Sequence, residues 1–202
     1  MNMKRNFMEA VENRRSIYAL GRRKEVDPER IQELVSFALK HIPSPFNSQS
    51  ARIVVLFGNE SSRFWSLAGD ELRKIVPPEA FGATEEKLKA FDAGLGTILF
   101  FEDQAVVDGL MKKFSLYKDN FPIWSLQSNG MLEFAVWTML EDEGLGASLQ
   151  HYNPLVDEGV RKAWNLPASW KLLAEMPFGS IEAPAAAKEF LPVEERMKVF
   201  RG

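Results

Sequence analysis

Apolar residues recur at a spacing of three to four positions along much of the chain, which is the pattern of amphipathic helices. The clearest of these segments starts with Asp27 as a capping acid and Pro28 at the first helical position, and it ends at Pro43. The same spacing predicts further helices over 4–14, from Asn59 to Pro77, from a cap at Thr84, over 103–118, over 123–143 and over about 155–165.

Short apolar runs rich in branched and aromatic residues predict the strands. Two are clear, at 52–57 and 97–101, and two further candidates lie at 146–152 and 170–181. The chain has no internal repeat and no low-complexity linker. The pattern therefore predicts one domain over residues 1–202, of the α+β class, with many helices around one small central sheet.

Two segments are more apolar than their positions require. Residues 123–143 carry apolar side chains on nearly every face, which is typical of a helix buried all round. We interpret this helix as either the central pillar of the core or a dimer seam. Residues 191–200 are too apolar for a free tail, so we expect them to dock on another surface.

Composition narrows the possible functions. The 202 residues are 46% hydrophobic and 26% charged, as in an ordinary globular protein, and the net charge of -3 argues against a nucleic-acid partner. The absence of cysteine excludes iron–sulfur clusters and thiol nucleophiles, so redox chemistry would need a bound cofactor. We expect a cytoplasmic protein without membrane contact, because we find neither a signal-peptide pattern nor an apolar run of ~20 residues.

Familiar catalytic and metal-binding motifs are missing from the sequence. The Gly-x-Gly pairs at 94–96 and 144–146 lack the third glycine of a dinucleotide-binding turn, and there is no Walker lysine motif, HExxH or Gly-x-Ser-x-Gly. His41 and His151 are the only histidines, too few for a histidine-based metal site. We therefore expect no metal and no catalytic side chain.

Three polar features remain, and each has an ordinary structural explanation beside a functional one. Residues 13–16, with Arg14 and Arg15, are either solvated cations at a helix C-terminus or a phosphate clamp, since guanidinium groups bind phosphate bidentately. The amides and hydroxyls of residues 44–50 suit either turn chemistry or binding to a polar ring edge. Residues 148–152 are either a polar connector or part of a binding site.

Taken together and in order, these features resemble the nitroreductase family of flavin enzymes, most closely the fungal and bacterial branch related to the fatty-acid-repression nitroreductases. The resemblance spans nearly the whole chain, and it rests on an ordered set of segments rather than on one motif. These segments are RRSIYAL at 14–20, PSPFNSQSARIVVLFG at 43–58, KAFDAGLGTILFFED at 89–103, the stretch 124–153 and PFGSIEAPAAAKEFLP at 177–192.

The resemblance implies an intertwined homodimer with FMN at the subunit interface, and a mixed or antiparallel central sheet. The implied contacts of one subunit are Arg14, Arg15, Ser16 and Lys188 at the phosphate and ribityl chain, Tyr18, Lys89 near the pyrimidine end, and Ser148, Leu149 and Gln150 along the reactive edge. Gln127 or Ser128, on the long helix, would border the site. Those of the other subunit are Pro43, Ser44, Pro45, Asn47 and Gln49. A substrate pocket of Phe46, Trp124 and His151 is implied as well, although core packing is the alternative for His151.

The implied activity is ping-pong transfer of hydride from NADH or NADPH through FMN to a small-molecule electron acceptor such as a nitroaromatic or a quinone. Two departures from the broad family place the chain in its divergent branch: Ile17 and Tyr18 follow Arg-x-Ser, and Ser50 and Ala51 stand where proline and tryptophan are common. Two alternatives stay open, a non-catalytic flavin-binding or sensing protein on the same scaffold and a cofactor-free helical interaction protein.

Overall fold

The computed structural model describes residues 6–202 and confirms the predicted α+β class. The strands are β1 (Leu20–Gly21), β2 (Ala51–Phe57), β3 (Gly96–Asp103), β4 (Gly146–Ala147) and β5 (Trp170–Ile181). The helices are α1 (Phe7–Asn13), α2 (Pro28–His41), α3 (Asn59–Arg73), α4 (Phe81–Asp92), α5 (Gln104–Lys113), α6 (Phe121–Asp142) and α7 (Asp157–Ala163). Short 3₁₀ turns occur at Pro45–Asn47, Pro78–Ala80, Ser115–Tyr117 and Val193–Glu195.

The sheet is antiparallel and is built around β3 and β5. The strand order is β1-β5-β3-β2, and β4 also pairs with β5. Phe100 of β3 lies opposite Ile53 of β2 and Ala174 of β5, with a register shift after Phe100. Every residue of β3 is buried, because helices cover both faces of the sheet.

Alternate residues of β3 enter two separate apolar layers. Ile98 and Phe100 pack with α2 and α6 on one face, while Leu99 and Phe101 pack with α3, α4 and α7 on the other. This period of two is what a strand buried on both faces requires. Packing in these two apolar layers sets the position of the ends of β2, β3 and β5 relative to α6. The candidate site described below lies at these strand ends.

The predicted elements exist, but several boundaries differ. Helix α4 begins at Phe81, so the predicted cap at Thr84 is wrong; a 3₁₀ turn at Pro78–Ala80 leads directly into the helix. The helix predicted over 103–118 ends at Lys113. Of the strand candidate at 146–152, only Gly146–Ala147 and a bridge from Gln150 to Glu175 pair with β5. Residues 4 and 5 of the first predicted helix lie outside the described residues.

Helix α6 is buried on one side only. Leu132, Val136 and Leu140 are in the core, whereas Leu126 and Met131 are 51% and 45% exposed in the single chain. The expectation of burial all round is therefore wrong for one subunit. The C-terminal segment 191–200 is exposed throughout and does not dock on its own subunit.

Candidate functional site

A cavity of about 510 Å³ lies between the segment after α1 and residues 183–188, which follow β5. We name it the arginine cavity; its lining residues are Arg14, Arg15, Ser16, Tyr18, Ala19, Ala183, Pro184, Ala185, Ala186 and Lys188. Arg15 Nη2 donates to the carbonyl of Ala186 at 2.8 Å and so joins the two walls. The lining includes three cations and no carboxylate, which favours an anionic ligand.

Arg14 is the most constrained of these cations. Its guanidinium carbon lies 4.4 Å from the centre of the Trp137 ring on α6, and its Nε is buried without a hydrogen-bond partner among residues 6–202. Burial lowers the pKa of Arg14, and the neighbouring charge of Arg15 lowers it further. An anion at this position would relieve both effects, because it would accept from Nε and offset the repulsion between the two cations.

The arginine cavity adjoins residues 148–150 through the backbone. Ser16 forms a parallel bridge with Ala147, and Ile17 N–H donates to the Ala147 carbonyl at 2.9 Å. Two of the three polar features of the sequence therefore meet at one place, since Ser148 follows Ala147 directly.

Leu149 presents the free backbone donor of this segment. Ser148 N–H donates to the Pro177 carbonyl at 3.3 Å and Gln150 N–H to the Glu175 carbonyl at 2.7 Å, so both point at β5. Leu149 N–H points the opposite way by strand alternation, and no acceptor within the described part of the chain takes its hydrogen bond. The side chains behind it are fixed, because Gln150 Nε2 donates to Ser148 Oγ at 3.1 Å.

The loop at 44–50 has an unusual backbone. Phe46, Asn47 and Gln49 have φ values of 55°, 51° and 50°, in the left-handed region that non-glycine residues rarely adopt. Such residues cost roughly 1–3 kcal/mol each and are concentrated at binding sites. Ser44 holds the turn, with its carbonyl accepting from Asn47 N–H and its Oγ from Gln49 N–H, both at 3.0 Å.

The loop borders an apolar cavity of about 330 Å³ against α6. We name it the loop cavity; its lining residues are Pro43, Ser44, Pro45, Phe46, Trp124, Gln127, Ser128 and Met131. The ring of Phe46 packs on Phe114 and Phe121, with centroids 4.8 and 5.4 Å apart. The structure thus brings together the predicted residues Phe46, Trp124 and Gln127.

Within one subunit the loop cavity and the arginine cavity are separate. No residue of the loop 44–50 is among those that line the arginine cavity, and Gln49 faces a third cavity of about 330 Å³ with Arg52 and Trp170. The residues that the family resemblance assigns to two subunits therefore fall into two separate groups on this chain. One group comprises Arg14 to Tyr18 with Lys188, and the other is the loop, with Gln127 beside it.

Two predicted residues lie apart from both groups. Lys89 is exposed on α4, pairs with Glu85 and Glu86 at 3.4 and 3.0 Å, and lines a further cavity with Asp92. His151 is exposed, so the alternative that it packs in the core is wrong.

Several residues near the site are not distinguished by the sequence pattern. Trp137, beneath Arg14, looked like one apolar residue among many on α6. The wall from Ala183 to Ala186 has no chemistry of its own and contributes only shape and a carbonyl. In the described residues, no group of three or more acidic or histidine side chains could hold a metal ion, and no helix is long and apolar enough to cross a membrane.

Comparison with known proteins decides the family. The model of the Nitroreductase family matches residues 11–180. The chain belongs to the nitroreductase family. It is 30% identical over 188 residues to nitroreductase FRM2 of Saccharomyces cerevisiae, covering 92% of this chain and 93% of FRM2.

Solved structures of nitroreductases agree with this assignment. Nitroreductase CinD from Lactococcus lactis in complex with chloramphenicol is 47% identical, with a TM-score of 0.89, covering 97% of this chain and 100% of CinD. The CinD complex with 4-nitrophenol gives 48% identity and the same TM-score of 0.89. A protein from Exiguobacterium sibiricum in complex with FMN is 14% identical, with a TM-score of 0.73 over 97% of this chain and 98% of that one, and shows the fold alone. The fold is nitroreductase-like, and the protein is an oxidoreductase of the nitroreductase type.

Proposed function

We propose that this protein is an FMN-dependent NAD(P)H oxidoreductase that acts as a homodimer and reduces nitroaromatic or quinone-type acceptors by ping-pong turnover. One observation carries the proposal: a cavity lined by three cations adjoins a free backbone donor, Leu149 N–H, through the bridge from Ser16 to Ala147. A phosphate-bearing ligand with a polar ring edge would satisfy both.

The arginine cavity fits the phosphate end of FMN. Arg14 Nε is a buried donor without a partner among the described residues, and a phosphate oxygen would accept from it. Arg15 and Lys188 would add charge from either side of the cavity, and Ser16 would bind the ribityl chain. Tyr18, at the same wall, would lie along the cofactor.

Residues 148–150 would lie at the reactive edge of the ring. FMN bound here would supply the redox chemistry, by taking hydride from NADH or NADPH and passing reducing equivalents to the acceptor. Leu149 N–H would donate to the ring nitrogen of that edge. Ser148 and Gln150 hold the donor in place through their bonds to β5. The protein's part is to bind and orient, so no catalytic side chain is proposed.

The loop 44–50 would complete the site of a second subunit. Pro43, Ser44, Pro45, Asn47 and Gln49 do not reach the arginine cavity of their own chain, which supports a contact in trans. The backbone at Asn47 is in the left-handed region, and the residue is exposed. Its side-chain amide could therefore form a hydrogen bond with a ring edge.

Exposed apolar surface supports the homodimer. Ile123, Leu126, Met131 and Phe134 form a stripe along α6 that is 39–56% exposed. Gly130 lies within the stripe, and a Cβ added there would meet nothing within 4 Å. Residues 190–200 add further exposed apolar side chains, which are Phe190, Leu191, Val193, Met197, Val199 and Phe200. A second copy of this chain would bury both surfaces.

The loop cavity is the proposed place for the electron acceptor. Phe46 and Trp124 give it an aromatic wall, and the polar Gln127 stands at its rim. Flat aromatic compounds suit such a wall. CinD has been solved with chloramphenicol and 4-nitrophenol, both nitroaromatic compounds, which supports the same class here. Contacts of Lys89 and His151 with cofactor or substrate stay predictions, and Lys89 would have to leave its ion pairs to make one.

The experiment uses the purified protein with and without added FMN. We expect a yellow protein whose flavin absorbance bleaches under anaerobic NADH or NADPH and returns on addition of 4-nitrophenol or a quinone. Parallel double-reciprocal plots would support ping-pong turnover. Flavin binding without turnover by any acceptor would instead favour the flavin-binding alternative.

A matched pair of variants separates cofactor binding from general stability. Arg14→Ala removes an arginine stacked on Trp137 inside the cavity, and Arg63→Ala removes an arginine stacked 5.2 Å above Trp164 on the opposite side of the sheet. The first should weaken FMN binding about tenfold or more, and the second should not. Equal effects of the two variants would contradict the assignment of the phosphate site.

A further inference from the structure

A buried acid–amide contact lies behind the loop 44–50. Glu102, at the end of β3, has no exposed surface, and Asn129 of α6 is 1% exposed. Asn129 Nδ2 donates to Glu102 Oε2 and to the Phe101 carbonyl, both at 3.1 Å. These two bonds use both hydrogens of the amide and fix its orientation, because only a donor fits between two oxygen acceptors.

Each partner keeps one buried acceptor that lacks a hydrogen bond. Glu102 Oε1 and Asn129 Oδ1 have no partner among residues 6–202. Two acceptors cannot satisfy each other, and a buried unsatisfied acceptor is costly. A single proton on Glu102 Oε1, shared with Asn129 Oδ1, would satisfy both and close an acid–amide ring.

The charges around Glu102 do not provide a dedicated counter-ion. Arg52 on β2 is the nearby cation, but its Nη2 donates to Asp103 Oδ2 at 3.0 Å, so its charge is already matched. Asp103, the next residue of β3, opposes ionisation of Glu102. Lys171 lies opposite Glu102 in the β3–β5 register and is exposed, and α6 contributes the neutral Asn129. Burial raises the pKa of Glu102, against the opposing effects of the hydrogen bonds from the Ser50 and Asn129 side chains and of the charge of Arg52.

The acid is connected to the loop. The Ser50 hydroxyl lies next to the Glu102 carboxyl and within 3.3 Å of Ser48 Oγ, and the Ser50 carbonyl accepts from Asp103 N–H at 3.0 Å. Arg52 Nη1 donates to the Gln49 carbonyl at 2.8 Å. The last residues of the strained loop are therefore anchored on Glu102 and its neighbours.

We propose that Glu102 is an uncharged carboxylic acid in the folded protein and that, paired with Asn129, it is a positioning residue for the loop 44–50. Only the effect on FMN binding rests on the proposed function, in which the loop forms part of the FMN site of the second subunit. The protonation and the anchoring concern the protein without cofactor.

The test compares Glu102→Gln with Glu102→Ala in the cofactor-free protein. Glutamine can form the same ring, with its Nε2 donating to Asn129 Oδ1, whereas alanine cannot. We expect hydrogen exchange of the amides at 47–50 to stay unchanged in Glu102→Gln and to rise about tenfold in Glu102→Ala. The stability of Glu102→Gln relative to the wild type should grow as pH rises above the ordinary pKa of glutamate. The reason is that only the folded wild type must keep a proton on residue 102. Glu79→Gln, the same change on an exposed turn, is the control.

Each of the other outcomes would contradict one part of the proposal, either the proton on Glu102 or its role in positioning the loop. Faster exchange in Glu102→Gln, or a pH dependence equal to that of the wild type, would show that Glu102 is ionised. Unchanged exchange in Glu102→Ala would remove the positioning role. With FMN, Glu102→Ala should bind about tenfold more weakly and Glu102→Gln like the wild type. If the wild type binds no FMN, the proposed function fails, while the two cofactor-free measurements still decide the state of Glu102.

Discussion

Replacing Glu175 with glutamine should remove a large part of the pH dependence of stability. Glu175 on β5 has no exposed surface and accepts from Tyr152 N–H at 2.9 Å, and its Oε1 has no hydrogen-bond partner among residues 6–202. Burial, with a smaller contribution from the charge of Asp157, raises the pKa of Glu175 to about 8 against the opposing effect of its backbone hydrogen bonds. The carboxyl therefore holds a proton at neutral pH in the folded state.

The magnitude follows from the difference between folded and unfolded pKa. In the unfolded chain Glu175 loses its proton near its ordinary value of 4.5, while in the folded chain it keeps it up to about 8. Between these values the folded state binds one more proton, so the free energy of unfolding falls as pH rises. At about 1.4 kcal/mol per unit, the loss is about 3 kcal/mol between pH 4.5 and pH 7. Glutamine has no proton to lose and keeps the shape of the neutral acid.

The assay is urea unfolding of wild type and Glu175→Gln at a fixed protein concentration across this pH range. The stability of the variant minus that of the wild type should rise steadily with pH, and Glu79→Gln should show no such trend. A difference that is constant with pH would refute the assignment of a proton to Glu175. A variant that loses stability relative to the wild type as pH rises would show that the ionised carboxylate of Glu175 stabilises the fold.

The remaining predictions concern the cofactor and the dimer. Lys188→Ala should weaken FMN binding by about 1.5–3 kcal/mol through the loss of one charge-assisted phosphate contact, measured by fluorescence titration; unchanged affinity would exclude Lys188 from the site. Asn47→Gly keeps the left-handed backbone and removes the amide, so FMN binding should weaken while light scattering still reports a dimer; unaltered binding would contradict the contact in trans. Gly130→Arg has space in the single chain, so the subunit should fold by circular dichroism but elute as a monomer with little FMN; a dimer with bound FMN would contradict the proposed seam.

The sequence predicted the elements well wherever local chemistry sets them. Helix α2 begins at Pro28 as expected, although the Asp27 side chain pairs with Lys24 and makes no capping hydrogen bond. The apolar runs of β2 and β3 are strands, but only β3 is buried throughout, whereas β2 is partly exposed apart from Leu56. The predicted start of α4 at Thr84 was wrong, because the turn at Pro78–Ala80 determines where this helix begins. Such turns depend on backbone geometry that apolar spacing does not report.

The site was only partly visible in the sequence, for physical reasons. The direction of Leu149 N–H depends on the register of its neighbours with β5, and the left-handed backbone of Phe46 depends on its packing against Phe114 and Phe121. Neither can be derived from residue types alone. Glu102 and Glu175 do stand out in the sequence, because Glu102 directly follows the apolar run 98–101 of β3 and Glu175 lies between apolar residues of β5.

The central claim is that this chain holds FMN between two subunits and exchanges electrons through it. The most direct measurement is the absorbance spectrum of the purified protein after loading with FMN and removal of free cofactor, followed by anaerobic addition of NADH or NADPH. The account predicts a protein-bound flavin spectrum that bleaches with either nucleotide and recovers with 4-nitrophenol or a quinone. A colourless protein that retains no FMN would contradict it.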